Sequence, residues 1–482
     1  MAETMTPLHA YSLFHDGLLS LIDVKQNGLR LDINHVQKEI KKRTNQQNKL
    51  KDKFLKSKVG KLWKKHYPNQ DFPTNDHLVH VLFRIMKLKP PKKTKKGNIA
   101  IDEEVLTILK GKIPALGLII KIRKIGKMVD TYFSNLMDEQ YDGNLHPNFW
   151  LHIPVSYRSS SSDPNLQNQP KHDEMLFKAV RRAFIPSPGN LLMEADYGSM
   201  EVRISASIHR DPVMMNYIKD KSKDMHRDMA MECFKIGPKR WKKIPSKYAK
   251  AIRYVAKNNF VFAEFYGSYY KQIAPNLWEA IDSMDLRIRK DVSLRNHLNR
   301  LGLSRYEDFE RHIKKVEDNM WKNRFKVYGE WREKHVQKYK DNGYFDLVTG
   351  FRCHGVFSRN KLFNYPIQGP AFHCLLWSMI RINDILKTQR WKSKIITEVH
   401  DSLLFDVHPK EYDGLIKLVK RVMSKDIREA WKWIAVPLEV DIEVGLSWDD
   451  MNEVILQPKC SECGTKYQYK HSKECPVCKM AA

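Results

Sequence analysis

Hydrophobic and polar positions around residue 196 predict a buried strand that is followed directly by a helix. Leu191–Ala195 is apolar apart from Glu194, as is typical of a strand inside a sheet. A Tyr-Gly pair follows Asp196, and apolar residues then recur with helical spacing from Ser199 to Ser207. The pattern therefore places Asp196 at the open end of a strand. A carboxylate there is costly unless it pairs with a base or binds a metal.

A second apolar pattern, Lys394–Val407, predicts a β-hairpin with an acidic tip. Its two strand-like runs meet at His400, Asp401 and Ser402. The hairpin would therefore present a second aspartate at the end of a strand.

Ala251–Gly267 has a different pattern, which predicts a helix with two cations on one face. Arg253 and Lys257 are four residues apart, so one side of the helix carries both charges. Two strand-end aspartates together with paired cations are what nucleotidyl transfer needs. Carboxylates can hold two Mg²⁺ ions about 4 Å apart, which activate a hydroxyl and stabilise the leaving pyrophosphate. The cations can bind the triphosphate.

Composition points to a polyanionic partner. The chain has 482 residues, 84 Lys+Arg against 56 Asp+Glu, a formal charge of +28 and a pI near 9.6. Nucleic acid is the first candidate and an anionic membrane surface the second. No apolar run approaches the roughly 20 residues of a membrane helix, and the N-terminus lacks a signal-peptide pattern. We therefore expect a cytoplasmic protein, in the host cytoplasm if it is phage-encoded, with no membrane partner.

Four motifs occur in the order and spacing of one known family. DYGSMEVR, R-x-x-x-K…FYG and EVHDS resemble motifs A, B and C of the family A DNA polymerases, the polymerase I type, and RSSSSDPNLQNQP resembles a fourth block. The resemblance runs from about Asn27 to about Asp450. It implies a right-hand α+β fold with an antiparallel palm sheet, helical fingers and a helical thumb. The implied domains are lead-in and thumb 1–150, palm 151–225, fingers 226–340, palm 341–455 and a zinc ribbon 456–482.

The resemblance also implies roles for individual residues. Asp196 and Asp401 would bind the two catalytic Mg²⁺ ions. Arg253, Lys257 and His226 would bind the triphosphate, and Lys257 would also protonate the leaving pyrophosphate. Glu201 would lie beneath the incoming sugar and exclude a ribose 2′-hydroxyl. The implied DNA-binding residues are Arg158, Asn165, Gln167, Asn168, Asn364, Gln368 and His400.

Two departures from the family pattern matter. Ser402 stands where the family usually has a third acidic residue, and His-Asp-Ser is the form seen in phage-type single-subunit RNA polymerases. In motif B, the Tyr of Tyr-Gly falls nine residues after Lys257 instead of eight. A single π-type bulge between Lys257 and Phe262 would absorb the extra residue. It would place Phe262 near the incoming sugar and Tyr266 near the template base.

The tail carries two CxxC pairs, formed by Cys460, Cys463, Cys475 and Cys478. Four thiolates at this spacing suit one structural, tetrahedral Zn²⁺, because disulfides would be unusual in a reducing compartment. Such a zinc ribbon could contact nucleic acid or a replication partner, or could be a purely structural cap.

The combined prediction is a phage-like, template-directed DNA polymerase that acts on primer–template DNA and dNTPs. No exonuclease-like carboxylate set precedes the predicted thumb, so we expect no proofreading domain and a separate exonuclease or replisome protein as a further partner. The first alternative is a single-subunit RNA polymerase or primase, favoured by His-Asp-Ser. The second is a non-catalytic nucleic-acid-binding scaffold, for which charge and zinc would suffice.

Overall fold

The structure is a computed structural model that describes residues 3–94, 97–167, 174–459 and 466–469. The helices are α1 (Pro7–Asn27), α2 (Ile33–Lys56), α3 (Lys58–His66), α4 (Asn75–Val79), α5 (Glu103–Lys110), α6 (Leu116–Gly126), α7 (Ser134–Glu139), α8 (Glu174–Arg181), α9 (Met200–His209), α10 (Pro212–Lys219), α11 (Met225–Cys233), α12 (Pro238–Trp241), α13 (Ser246–Ala256), α14 (Phe262–Phe265), α15 (Tyr270–Ser283), α16 (Leu294–Arg300), α17 (Tyr306–Asn319), α18 (Lys326–Asn342), α19 (Arg359–Thr388), α20 (Tyr412–Arg421) and α21 (Ile427–Ala430). Short π-helical segments occupy His80–Ile85, Lys127–Phe133, Lys257–Val261, Met320–Arg324 and Val422–Asp426, and Pro409–Glu411 is a 3₁₀ turn.

The strands form one large sheet and four small ones. They are β1 (Leu29–Arg30), β2 (Gln140–Tyr141), β3 (Asn144–Leu145), β4 (Asn148–Trp150), β5 (Ser160–Ser162), β6 (Leu191–Tyr197), β7 (Arg287–Arg289), β8 (Val292–Ser293), β9 (Tyr344–Asp346), β10 (Arg352–His354), β11 (Lys394–Val399), β12 (Ser402–Val407), β13 (Val440–Gly445), β14 (Met451–Lys459) and β15 (Lys466–Tyr469).

The large sheet is antiparallel, in the order β11-β12-β6-β13-β14-β15. Its strand β6 is the one predicted from the apolar run before Asp196. Leu191, Met193 and Ala195 alternate along one face of β6 and are fully buried in the main core. Glu194 and Asp196 lie on the opposite face, because successive side chains of a strand point to opposite sides of the sheet.

Two long helices pack together behind this sheet. The first, α1, packs on the thirty-residue α19, and both contribute to the main core. The helices are very close at Gly17, where a Cβ atom would lie 2.8 Å from Cδ2 of Leu376. A side chain at this position would clash with the Leu376 side chain, which explains the glycine.

Helices α2–α6 form a lobe with its own hydrophobic core. Phe54, Trp63, Leu78, Val105 and Ile119 belong to a hydrophobic cluster that is separate from the main core. Most lysines of α2 and α3 are exposed, so one face of this lobe is apolar and packed while the other is cationic.

The structure corrects one prediction in the region 226–340. The sequence there suggested helices throughout, but residues 287–293 form the hairpin β7–β8. Ile288 and Val292 are both buried on it, and β-branched residues favour a strand where their side chains are packed. Strands β9 and β10 form a further hairpin.

No helix within the described ranges is long and apolar enough to cross a membrane.

Candidate active site

The two predicted strand-end aspartates lie on neighbouring strands of the large sheet. Asp196 pairs with Ser402 in the ladder between β6 and β12, and Asp401 occupies the turn that joins β11 to β12. The backbone N–H of Tyr197 donates to the carbonyl of Asp401 at 3.1 Å. The predicted hairpin with an acidic tip is therefore confirmed, and the tertiary fold brings Asp401 beside Asp196.

Ser402 is tied to a second carboxylate on the same face of the sheet. Its Oγ donates to Oε1 of Glu194 at 2.8 Å, and Nε1 of Trp448 donates to the other oxygen at 2.9 Å. Nη1 of Arg181 lies 3.5 Å from that second oxygen, and the guanidinium stacks on the ring of Trp448. In the sequence, Glu194 only interrupts an apolar run, and no role was predicted for it. Its partners come from distant parts of the chain.

Most of the remaining predicted residues surround one cavity of about 400 Å³. It is bounded by α9, the segment 257–266, α19 and the turn that carries Asp401. The predicted residues that line it are Arg158, Glu201, His226, Lys257, Phe262, Tyr266, Asn364, Gln368, His400 and Asp401.

The helix that bears the paired cations leads into this cavity. Lys257 follows α13 directly, and its ammonium group lies 5.2 Å from the centre of the Phe262 ring. Arg253 lies one turn earlier, where its Nε donates to Oδ2 of Asp224 at 2.6 Å. Arg253 does not line the cavity, since this ion pair holds it at the edge.

His226 is a neutral ring at this end of the cavity. Burial, together with the positive charges of Arg253 and Lys257, lowers its pKa to about 4. The ring meets Phe262 edge-on at 5.7 Å, and Nδ1 is buried with no hydrogen-bond partner among the described residues. His226 therefore offers a hydrogen bond to a ligand, and no charge, at neutral pH.

The predicted bulge in motif B is confirmed. Lys257–Val261 is π-helical, and α14 begins at Phe262. The wider turn points Phe262 into the cavity, whereas Phe260 is fully buried in the main core. A regular helix would have rotated Phe262 by about 100° per inserted residue, away from the cation face.

Glu201 is held at the cavity wall from two sides. Nη2 of Arg158 donates to one carboxylate oxygen at 2.7 Å, and the hydroxyl of Tyr266 donates to the other at 2.9 Å. Burial and the neighbouring Glu201 carboxylate raise the pKa of Tyr266 well above its usual range. The phenol therefore stays protonated and remains a donor.

Gln167 contacts a buried carboxyl group of the hairpin. Its Nε2 donates to Oε1 of Glu398 at 2.7 Å, and the Oγ of Ser159 donates to the same oxygen at 2.6 Å. Only 1% of Glu398 is exposed, and burial raises the pKa of its carboxyl to about 7. The sequence did not predict this pairing. The feature of the sequence that could have indicated it is Glu398 itself, which occupies a position where the family usually has a glutamine.

Some predicted residues are not at the cavity. Asp196 and Arg253 lie near it without lining it, and Asn165 is exposed on the loop before Gln167. Asn168 and the predicted zinc ligands Cys460, Cys463, Cys475 and Cys478 lie outside the described residues. Within the described ranges, no group of three or more His, Cys, Asp or Glu side chains could hold a metal ion. A metal here would have to rely on the two aspartates, with water or substrate completing its shell.

Comparison with known proteins places this geometry in context. Residues 38–450 match the family model described as DNA polymerase family A. DNA polymerase I of Caldicellulosiruptor bescii is 30% identical over 380 residues, which cover 77% of this chain and 40% of that protein. DNA polymerase I of Lactococcus lactis subsp. lactis is 32% identical over 373 residues, covering 76% of this chain and 38% of that protein. The chain thus spans about two fifths of the length of these curated relatives.

A solved structure shares the fold. It is the POL domain of Pol1 from M. smegmatis, in complex with DNA primer-template and dNTP. The match has a TM-score of 0.68 at 23% identity, and covers 90% of this chain and 70% of that one. The predicted right-hand α+β fold, with its antiparallel sheet, is therefore confirmed.

Proposed function

Because the chain belongs to DNA polymerase family A, we propose that it is a template-directed DNA polymerase that adds deoxynucleotides to a primer 3′ end. The observation that carries this proposal is the single cavity that Asp401, Lys257, Glu201, Phe262 and Tyr266 share. These residues come from three separate motifs. Their convergence supplies an acidic end, a cationic end and an aromatic wall in one cavity.

The cationic end of the cavity would bind the triphosphate of the incoming nucleotide. Lys257 lies inside the cavity and can donate its proton to the leaving pyrophosphate. Since Arg253 uses Nε for Asp224, its terminal nitrogens remain to bind a phosphate oxygen. His226 adds a hydrogen bond without adding charge. The positive charge that meets the phosphates therefore comes from Lys257 and Arg253.

Asp196 and Asp401 would hold the catalytic Mg²⁺ ions. Two carboxylates on adjacent strand ends fit Mg²⁺, which keeps several waters and needs only one or two protein ligands beside substrate phosphates. When bound, the metal ions supply Lewis-acid activation of the primer hydroxyl and neutralise charge on the leaving group. Ser402 is committed to Glu194, so we assign it no ligand role.

Glu201 would select deoxyribose by occupying space. Both of its carboxylate oxygens already accept hydrogen bonds, from Arg158 and Tyr266. A carboxylate fixed in this way blocks a 2′-hydroxyl sterically. It has little freedom to accept a hydrogen bond from that hydroxyl.

Primer–template DNA would lie across the cavity mouth. Arg158, Asn364, Gln368 and His400 line the cavity and are the proposed contacts to the DNA. Gln167 would act through Glu398 and the hairpin, while Asn165 and Asn168 remain proposed contacts from sequence alone. The cationic lobe, α2–α6, would bind the duplex backbone without base specificity. We propose it as the thumb, within the domain boundaries stated above.

Primer extension with dNTPs or rNTPs tests this function. Template-dependent extension with dNTPs, and little with rNTPs, is the expected result. Preferential use of rNTPs would favour the RNA polymerase alternative suggested by His400, Asp401 and Ser402. Binding of DNA with no extension by either set would favour the non-catalytic scaffold. A labelled primer incubated without dNTPs tests the separate prediction that the chain does not proofread.

The zinc ribbon also remains a proposal. Metal analysis of the purified chain should find one zinc per chain, bound by Cys460, Cys463, Cys475 and Cys478. Serine substitution of Cys475 and Cys478 should release it. Zinc content that is unchanged in this double variant would rule out the four-cysteine site.

A further inference from the structure

The segment between Glu232 and Glu264 has an unusual charge pattern. Its 31 residues contain nine cations and no carboxylate. The chain average of 56 acidic residues in 482 would give between three and four in a stretch of this length. The segment includes α12, α13 and the π-helical turn that enters the cavity.

Six of these cations are exposed together on and around α12 and the start of α13. We call them the outer cationic surface, and they are Lys239, Arg240, Lys242, Lys243, Lys247 and Lys250. None of the six forms an ion pair with a carboxylate of the described residues. The acidic residues just upstream are engaged elsewhere, since Asp224 pairs with Arg253 and Glu232 with Arg324. The charge of this surface is therefore uncompensated and available to an anion.

The outer cationic surface continues the row of cations that enters the cavity. Lys257, Arg253 and Lys250 lie at successive turns on one face of the helix. Lys250 is about 10 Å from Lys257 along the axis, at 1.5 Å per residue. The row therefore leads from solvent to the cationic end of the cavity.

The direction of this row identifies the anion. Tyr266, the proposed neighbour of the template base, is at the opposite end of the same helical segment. Going from Tyr266 back along the chain, Phe262 comes next and then Lys257. The proposed sites for the sugar and the triphosphate therefore lie between the template base and the outer cationic surface. A ligand of the outer surface thus lies beyond the triphosphate, on the side away from the template.

We propose that the outer cationic surface is an outer binding site for polyphosphate, which steers nucleoside triphosphates into the cavity and receives the departing pyrophosphate. This inference rests on the proposed function, whose nucleotide orientation it uses. The Debye length is about 30 Å at about 0.01 M salt and about 8 Å at about 0.15 M. The field of Lys247 and Lys250 therefore reaches the cavity at low ionic strength, and is largely screened at physiological ionic strength.

Single-nucleotide extension by a quadruple variant tests the steering. The variant is Lys239→Gln, Lys242→Gln, Lys247→Gln and Lys250→Gln in the full chain. At about 0.01 M salt, kcat/KM for a dNTP should fall about tenfold with kcat unchanged, and the difference from wild type should close at about 0.15 M. The matched control replaces four exposed lysines of α18 with Gln, namely Lys326, Lys334, Lys338 and Lys340. It should behave as wild type does.

Three results would overturn the inference. The first is an unchanged kcat/KM in the variant at low salt, and the second is an equal loss in the α18 control. The third is a parallel loss of affinity for primer–template or single-stranded DNA, which would assign the surface to nucleic acid.

Equilibrium binding of inorganic triphosphate separates this inference from the proposed function. The wild-type chain should bind this probe more tightly than the quadruple variant does, whether or not it extends primers. Absence of extension with this difference intact would refute the polymerase proposal alone. Equal affinity for the probe would refute the outer site alone.

Discussion

The Tyr266 hydroxyl donates a 2.9 Å hydrogen bond to Oε2 of Glu201, and so joins the end of α14 to the start of α9 across the cavity. The other oxygen of Glu201 accepts from Arg158. The carboxylate is therefore positioned by two elements that the sequence separates widely. This arrangement predicts how the polymerase would discriminate between sugars.

Glu201→Ala should raise ribonucleotide incorporation, because the fixed carboxylate no longer occupies the space of the 2′-hydroxyl. We expect an increase of about tenfold to a hundredfold in rNTP relative to dNTP kcat/KM, equivalent to about 1.4–3 kcal/mol. Tyr266→Phe should give a smaller change in the same direction, since it removes one of the two positioning bonds. An unchanged ratio in Glu201→Ala would move sugar selection to another residue.

Asp196→Asn and Asp401→Asn should each lower the rate of extension at least about a hundredfold, because an amide is a poor ligand for Mg²⁺. Primer–template affinity should stay within about twofold of wild type, since the cationic lobe is proposed to provide most phosphate contacts. Extension by either variant at a tenth of the wild-type rate or more would contradict the metal assignment.

Phe262→Tyr should relax discrimination against dideoxynucleotides. A hydroxyl at this position can replace the missing 3′-hydroxyl next to the incoming sugar, because the π-helical turn points Phe262 into the cavity. Competition between a dNTP and its dideoxy analogue measures the effect.

The matched control for this experiment is Phe260→Tyr. Phe260 is fully buried, so the added hydroxyl should lower stability by about 1–3 kcal/mol and leave the dideoxy ratio unchanged. If Phe260→Tyr changed the ratio and Phe262→Tyr did not, the helix would be regular in solution.

Ser402→Glu would restore the family's usual third acidic residue, yet it should destabilise this chain. The new carboxylate would meet Glu194, which already accepts hydrogen bonds from Ser402 and Trp448. Like charges in this buried position should lower the free energy of unfolding by about 1–3 kcal/mol.

Adding Glu194→Gln to Ser402→Glu should recover much of that loss. Chemical denaturation of the wild type, both single variants and the double variant gives the coupling energy. Additive effects would show that the two side chains do not interact.

Glu398→Gln should change how stability depends on pH. The folded-state pKa of Glu398 is about 7, above its ordinary value of 4.5, because the group is buried. Stability from the neutral carboxyl is therefore fully present below pH 4.5, and is lost as pH rises through 7. The full difference is about 3 kcal/mol.

The Gln variant keeps an acceptor for Ser159 and Gln167 without this loss. It should therefore gain stability relative to wild type as pH rises from about 5 to about 8. Denaturation midpoints across that range provide the measurement. A constant difference between the two proteins would mean that Glu398 does not titrate in the folded state.

Local patterns in the sequence determined the elements that carry the chemistry. Apolar runs and the residues that interrupt them predicted β6 and the β11–β12 hairpin, so both aspartates were placed at strand ends. One residue in excess of the family's motif B spacing predicted the π-helical turn at Lys257–Val261. These features depend on residues a few positions apart, and the backbone geometry of such short segments is set locally.

Tertiary structure decided which side chains meet. Glu398 accepts hydrogen bonds from Ser159 and Gln167, and Glu194 accepts them from Ser402 and Trp448. The partners are more than 200 residues apart in each case. No periodicity encodes such pairs, because they arise from how sheets and helices pack. The same is true of Arg253, whose ion pair with Asp224 keeps it from lining the cavity. In the hairpin β7–β8, burial of the β-branched side chains of Ile288 and Val292 outweighed the helical appearance of the local sequence.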